Sequence, residues 1–277
     1  MPSIDPAIVG LKSEPTRFDY TWKDVVLYAL AVGATPEELA FVYEKAPGGL
    51  KVLPSFCVIP ALYAWPKLGA DIHWPLMIHG EQATRLFRPL PPEGRIIQFG
   101  EVIGVHDKGK GALIRVRITG RTPAGEPLFE AEWALFYIGA GGFGGDPGPK
   151  SEPVNPPKGK APDFGVTYAI PAGQAALYRL CGDLNPLHID PAAAAPGGFE
   201  RPILHGLCTY GYATRAIVNQ WLGGDVEKLK QFNARFSNPV YPGDSLTVEG
   251  WVDGPRCLVQ ARTQRAVVLK NAVAVTA

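Results

Sequence analysis

The run Tyr178-Arg179-Leu180-Cys181-Gly182-Asp183-Leu184-Asn185-Pro186-Leu187-His188-Ile189-Asp190-Pro191 begins with helix formers and then breaks. Gly182 reaches the left-handed backbone conformation that ends helices, and Pro186 has no N–H with which to continue one. Asp183, Asn185 and His188 are therefore expected on the turn, where a carboxylate, an amide and an imidazole can face one small volume. Such a set can move a proton to or from a water or a substrate carbon. The same residues also have an ordinary use, since Asp and Asn satisfy turn amides and a turn histidine can simply face solvent.

Downstream, Ile203-Leu204-His205-Gly206-Leu207-Cys208 leads into a run in which Leu207, Tyr210, Ile217 and Trp221 fall at helical spacing. Gly206 then sits at a helix N-terminus, where unpaired amides and the dipole favour developing negative charge, or it serves only close packing. Upstream, Gly139 to Asp163 contains Gly141-Gly142-Phe143-Gly144-Gly145 followed by a series of prolines, a composition that cannot build a core. The chain is accordingly divided into a first unit over 1–140, a linker over 141–163 and a second unit over 164–277 that carries the turn.

Within the first unit, Thr21 or Asp24 can cap a helix through Val25-Val26-Leu27-Tyr28-Ala29-Leu30-Ala31-Val32 that stops at Gly33. It is apolar on every side, which predicts enclosure by a curved sheet. Strands are expected over Arg95 to His106, Ala112 to Thr119 and Leu128 to Tyr137, with a hairpin turn at Pro123-Ala124-Gly125-Glu126. After the linker the plan restarts. Leu177-Tyr178-Arg179-Leu180 echoes Leu27-Tyr28-Ala29-Leu30, Ile203-Leu204-His205-Gly206 echoes Met77-Ile78-His79-Gly80, and Tyr241-Pro242-Gly243-Asp244-Ser245 echoes Pro92-Glu93-Gly94-Arg95-Ile96. Echoes in the same order indicate a duplicated α+β unit. Opposite Asp183 and His188 the first unit has Ala34-Thr35-Pro36-Glu37 and no histidine, so it is expected to be catalytically empty.

A chain of 277 residues can bury two adequate cores, and a net charge of +1 offers no field for nucleic acid or an anionic membrane. The four cysteines are scattered and no signal peptide opens the chain, which predicts reduced thiols in an intracellular protein. No apolar run is long enough for a membrane span, and Ala274-Val275-Thr276-Ala277 is not a Ser-Lys-Leu type peroxisomal address. His73, His106 and His205 show no metal-ligand spacing, so neither metal nor cofactor is expected. Glu44 and Arg179 are charges beside apolar sequence and are expected to pair across the two units.

The run 178–191 resembles the signature Tyr-Arg-Leu-x-Gly-Asp-x-Asn-Pro-Leu-His-x-Asp-Pro of the MaoC-like, R-specific 2-enoyl-CoA hydratases, the hydratase 2 family, which includes the hydratase unit of peroxisomal multifunctional enzyme type 2. The resemblance extends through Leu27-Tyr28-Ala29, Asp107-Lys108-Gly109, the Gly-rich run, Ala234-Arg235-Phe236 and Pro239-Val240-Tyr241-Pro242-Gly243. It implies an α+β double hotdog, two antiparallel sheets each wrapping a central helix, one half catalysing and the other accommodating a bulky acyl chain. The implied reaction is reversible hydration of trans-2-enoyl-CoA to (3R)-3-hydroxyacyl-CoA in fatty acyl-CoA metabolism. Asp183, His188 and Asn185 would be catalytic, with the formal base open between the first two, and the Gly206 amide would meet the thioester oxygen.

The resemblance further places His79, Gly80, Leu184, Pro186, Leu187 and Phe236 against substrate and Lys108 against its CoA part, with Glu44 and Arg179 in support. Each has a plain alternative: His79 and Gly80 as remnants of duplication, Lys108 as a solvated turn lysine, Phe236 as ordinary core. A homodimer is implied, in the cytoplasm or, as part of a multifunctional enzyme, in the peroxisome. A hotdog thioesterase and a non-catalytic acyl-CoA-binding module share the architecture. The first would aim a carboxylate-activated water at the thioester itself, and the second would have lost the acid/base pair; the complete Asp-x-Asn-Pro-x-His set argues against both.

Overall fold

Strand-forming sequence dominates the computed structural model, which describes residues 2–68, 72–149 and 153–276. Its strands are β1 (Thr16–Tyr20), β2 (Met77–Leu86), β3 (Gly94–Asp107), β4 (Gly111–Arg121), β5 (Pro127–Ile138), β6 (Phe164–Ala169), β7 (Leu229–Phe236), β8 (Ser245–Asp253), β9 (Arg256–Thr263) and β10 (Val267–Thr276). The helices are α1 (Trp22–Ala31), α2 (Leu39–Val42), α3 (Val58–Ala61), α4 (Gln174–Tyr178), α5 (Pro191–Ala194) and α6 (Gly206–Ala216). The three strands expected in the first unit form within a residue or two of their expected ends, and Gly125, at φ 86°, makes the turn between β4 and β5.

Alternation explains which face is buried. Ile114, Val116 and Ile118 of β4 are fully buried, whereas Arg115 and Arg117 reach out to Glu132 of β5 across the other face.

All ten strands belong to one antiparallel sheet in the order β1-β3-β4-β5-β2-β7-β10-β9-β8-β6. Read from either end, this order is the same under exchange of β1 with β6, β2 with β7, β3 with β8, β4 with β9 and β5 with β10, which is the signature of a duplicated unit. The two copies meet where β2 pairs β7, with Thr84 opposite Phe232. Two separate sheets were expected; pairing of β2 with β7 merges them into one, because the edge each copy would otherwise expose is covered by the other.

The enclosed helix is also not the one expected. In α1 the Leu30 side chain is 39% exposed, so this helix has an outer side, although its start at Thr21, capped by Asp24, and its stop at Gly33 fall where the sequence puts them. In α6 every residue from Leu207 to Ala216 is buried, and the helix runs on through a π-helical turn, Ile217–Trp221. Small residues permit this enclosure. A Cβ on Gly211 would lie 2.3 Å from Val32 Cγ1, so α6 can cross the end of α1 only with glycine there.

Across that crossing, Cys208 Sγ and the Gln174 amide both donate to the Ala31 carbonyl. Arg215 donates to the Val32 carbonyl and forms a buried ion pair with Glu38 at 3.2 Å. This pair, and not Glu44 with Arg179, ties the two units. Glu44 is exposed, and among the described residues Arg179 has no carboxylate partner.

The second echo is a coincidence of letters. His79 and Gly80 lie inside β2, whereas His205 and Gly206 open α6, which precedes the β2 equivalent, β7. The first-unit counterpart of α6 is therefore the short helical stretch Pro54–Cys57 and Val58–Ala61. From β5 to β6 the chain has no regular secondary structure among the described residues, and residues 150–152 of that segment lie outside them. Its Gly-rich part is pinned: the Asp107 carboxylate accepts from the amides of Gly109, Gly142 and Gly144 at 2.8 Å each. All four cysteines are free thiols, and no described helix is long and apolar enough to cross a membrane.

Candidate active site

The turn forms as its residue types dictate. α4 tightens into a single 3-10 turn, Arg179–Cys181, and stops at Gly182, whose φ of 131° excludes other residues. A Cβ there would also strike the Tyr63 hydroxyl at 2.6 Å. Beyond it, Asp183 Oδ1 accepts from the Asn185 amide at 3.2 Å and Asn185 Oδ1 accepts from the Leu187 amide at 3.1 Å. Asn185 thereby caps the short helical turn Pro186–His188, and its side-chain oxygen is committed to the backbone. Its NH2 group, and the second lone pair of that oxygen, are left to meet a water or substrate.

These caps turn His188 inward until 8% of it is exposed. Its Nδ1 lies 2.9 Å from the Ile203 carbonyl, and a carbonyl only accepts, so Nδ1 carries the hydrogen and Nε2 presents a lone pair. Burial holds the imidazole pKa below its ordinary 6.5, against a smaller upward pull from the Asp183 carboxylate and the Ile203 carbonyl. His188 is thus a neutral acceptor at neutral pH, beside a carboxylate. The Asp183 carboxylate and a ring nitrogen from each of His188 and His205 lie within 4.8 Å of one another.

His205, fully buried, completes the cluster. Its Nε2 donates to the Asp183 carbonyl at 3.2 Å, and its ring lies on that of His188 with centroids 3.8 Å apart. Burial, with His188 and Arg179 as neighbours, drives its pKa down to about 2. The three groups are close enough to raise the question of a metal. One nitrogen of each imidazole donates to a backbone carbonyl, which leaves the other free on each ring, and the two rings lie 3.8 Å apart with a 30° tilt. A carboxylate beside two neutral imidazoles can pass a proton without a metal.

Gly206 is the first residue of α6. The amides of Cys208 and Thr209 turn back to the His205 carbonyl, while those of Gly206 and Leu207 have no main-chain partner among the described residues. Two donors and the positive end of the helix dipole are therefore aimed beside the acid/base turn. The Phe236 ring lies over Gly206, 3.3 Å from where a Cβ would stand.

Phe236 leads on to the other expected substrate residues. His79 meets it edge-to-face at 4.9 Å and stacks on Trp133 at 4.6 Å, with Trp65 against Trp133 at 5.0 Å. Gly80 is the bulge residue at which the β2–β5 register shifts. The structure thus brings Asp183, Asn185, His188, Gly206, Phe236 and His79 into one continuous neighbourhood. Leu184 and Pro186 are exposed on the same turn and Leu187 half-buried. Lys108 lies elsewhere, on the β3–β4 turn, where its ammonium donates to the Pro147 carbonyl.

Sequence reading missed His205, Trp133 and Trp65. His205 carried one usable signal, its place next to Gly206; the tryptophans carried none, since an aromatic in a strand is usually core.

Family comparison bears on both units. Residues 153–276 match the MaoC like domain, and residues 18–139 match the MFE-2 hydratase 2 N-terminal domain. The chain is 38% identical over 279 residues to probable enoyl-CoA hydratase 2 of Dictyostelium discoideum, covering 97% of this chain and 95% of that protein. It is 40% identical over 260 residues to 3-hydroxyacyl-thioester dehydratase Y of Mycobacterium tuberculosis, covering 91% and 89%. A solved MaoC-like dehydratase from Phytophthora capsici superposes with a TM-score of 0.89 at 30% identity, covering 100% of this chain and 98% of that one. With both units matched and the relatives spanned nearly end to end, the chain belongs to the MaoC-like, hydratase 2 family of double hotdog proteins.

Proposed function

We propose that the protein reversibly hydrates trans-2-enoyl-CoA to (3R)-3-hydroxyacyl-CoA. The observation that carries this reading is the Asp183 carboxylate within 4.8 Å of a His188 ring nitrogen, with Nε2 of the neutral imidazole left to accept, beside the free amides that open α6. Water adding at C3 of the enoyl thioester pushes charge onto the thioester oxygen as an enolate. His188 Nε2 and Asp183 hold that water and take its proton, the Asn185 NH2 orients it, and the Gly206 amide receives the oxygen. One of the two acid/base groups then returns a proton to C2. Acid/base groups of this kind contribute about a hundred- to ten-thousandfold in rate, and an oxyanion donor about 3 kcal/mol.

The reading includes a division of labour. Residues 164–277 do the chemistry, 141–163 connect, and 1–140, which has Ala34-Thr35-Pro36-Glu37 opposite Asp183 and His188, accommodate the acyl chain along Trp65, Trp133 and His79, with Phe236 of the second unit beside them. It also includes a homodimer, for which exposed Leu180, Leu184 and Ile189 around the catalytic turn are supporting observations, and a cytoplasmic or peroxisomal setting.

The test is an assay of crotonyl-CoA and a longer enoyl-CoA in which loss of the conjugated chromophore and release of free thiol are followed together. Chromophore loss without thiol, giving a product oxidised only by a (3R)-specific dehydrogenase, is the expected result. Thiol release would make the protein a thioesterase, and binding without either signal would make it a non-catalytic acyl-CoA module.

A further inference from the structure

His205 belongs to neither the acid/base pair nor the oxyanion hole, yet it touches both. It stands at the junction of two elements, the turn after α4 and the first residue of α6. Its Nε2–H meets the backbone of Asp183, its ring lies 3.8 Å from that of His188, and the Tyr178 ring lies 4.8 Å away. We propose that His205 is a positioning residue, fixing the acid/base turn to the start of the helix whose Gly206 amide receives the thioester oxygen. This rests on the reading of Asp183 and His188 as the acid/base pair.

The case against simple packing is chemical. His205 is fully buried and its Nδ1 has no hydrogen-bond partner among the described residues. A buried nitrogen without a partner is unfavourable, and an apolar ring would fill the same space without it. What an apolar ring cannot supply is the donor to the Asp183 carbonyl. That bond also sets the tautomer, since the hydrogen on Nε2 leaves the lone pair on Nδ1. Charge is not what the residue contributes: with Arg179, His188, Tyr178 and the Asp183 carbonyl around it, it works as a neutral, rigid donor. The role matters because the Asp183 carboxylate, His188 Nε2 and Gly206 amide must all reach one substrate, and misplacement by about 1 Å costs about a hundredfold in rate.

Two substitutions separate the donor from the ring. His205→Phe keeps the ring and removes the donor, whereas His205→Gln can place an amide NH2 near the Nε2 position. Alignment of reacting groups serves the transition state, so His205→Phe should lower kcat by about ten- to a hundredfold with KM little changed, and His205→Gln should recover most of the loss. Parental kcat in His205→Phe, or equal impairment of the two variants, would overturn the proposal.

A measurement on the parent protein needs no variant. Nitrogen-15 imidazole spectra should show His205 neutral and protonated on Nε2 from about pH 5 to 8; a proton on Nδ1, or a cation in that window, would count against it. Asp183→Asn in the same assay distinguishes the two readings. If it retains turnover, the acid/base assignment itself fails; if it is inactive while His205→Phe is normal, only the positioning role falls.

Discussion

Glu38 and Arg215 show what a residue's neighbours in the chain do not reveal. Arg215, with 5% of its side chain exposed, faces Glu38 at 18%, also lies over the Tyr168 ring, and shares Glu38 with the Asn219 amide. Truncating one partner leaves the other charge buried, so Glu38→Ala should lower unfolding stability by about 3–5 kcal/mol in a urea titration, against a fraction of that for exposed Glu44→Ala. Equal midpoints for the two variants would contradict the pairing. At this scale the local motif was readable: Asp183, Asn185 and His188 lie within one turn, and the caps that aim them are set by residue type at fixed offsets. The cross-chain partner was not. A charge beside apolar sequence need not be a buried one: Glu44 lies on an exposed loop, and a contact spanning most of the chain leaves no spacing to read.

Helices show the same division. The ends of α1 were legible because caps are local chemistry, but apolar content alone marks it for enclosure and does not mark α6, whose hydropathy is diluted by Gly211, Thr209 and Thr214. Those small and hydroxyl side chains are what allow close wrapping, with Thr214 donating back to the Tyr210 carbonyl at 2.9 Å. Gly211→Ala tests the crossing. Alanine favours helix by about 1 kcal/mol, yet the added methyl would meet Val32 Cγ1 at 2.3 Å and the Tyr28 hydroxyl at 3.0 Å. A net loss of about 1–3 kcal/mol is expected from thermal or urea unfolding, since overpacking there outweighs propensity. A stabilised variant would mean that α6 and α1 do not approach this closely. The apparent match of His79-Gly80 with His205-Gly206 failed for a related reason: a two-letter identity says nothing about whether the backbone is strand or helix.

For the whole molecule, duplication was legible in the order of motifs, whereas fusion of both copies into one sheet depends on the β2–β7 pairing, which no local pattern encodes. The assembled protein holds three histidines in neutral form: buried His188 below 6.5, buried His205 at about 2 and half-buried His79 at about 4. The unfolded chain would protonate each near 6.5, so below that pH it binds more protons than the folded protein and stability falls as pH falls. Each histidine contributes up to about 1.4 kcal/mol per pH unit until its folded pKa is reached. Unfolding midpoints should therefore be level above about pH 7 and drop steadily between about pH 6 and 4; a flat profile there would mean the histidines are solvated.

The central claim is that Asp183 and His188 together perform acid/base hydration of an enoyl thioester. The direct test is the steady-state hydration rate of crotonyl-CoA by Asp183→Asn and His188→Ala beside the parent, with thermal unfolding recorded on the same samples. Each variant should keep the parent's fold and lose at least about a hundredfold in kcat; a correctly folded variant of either kind that turns over at the parental rate would contradict the assignment.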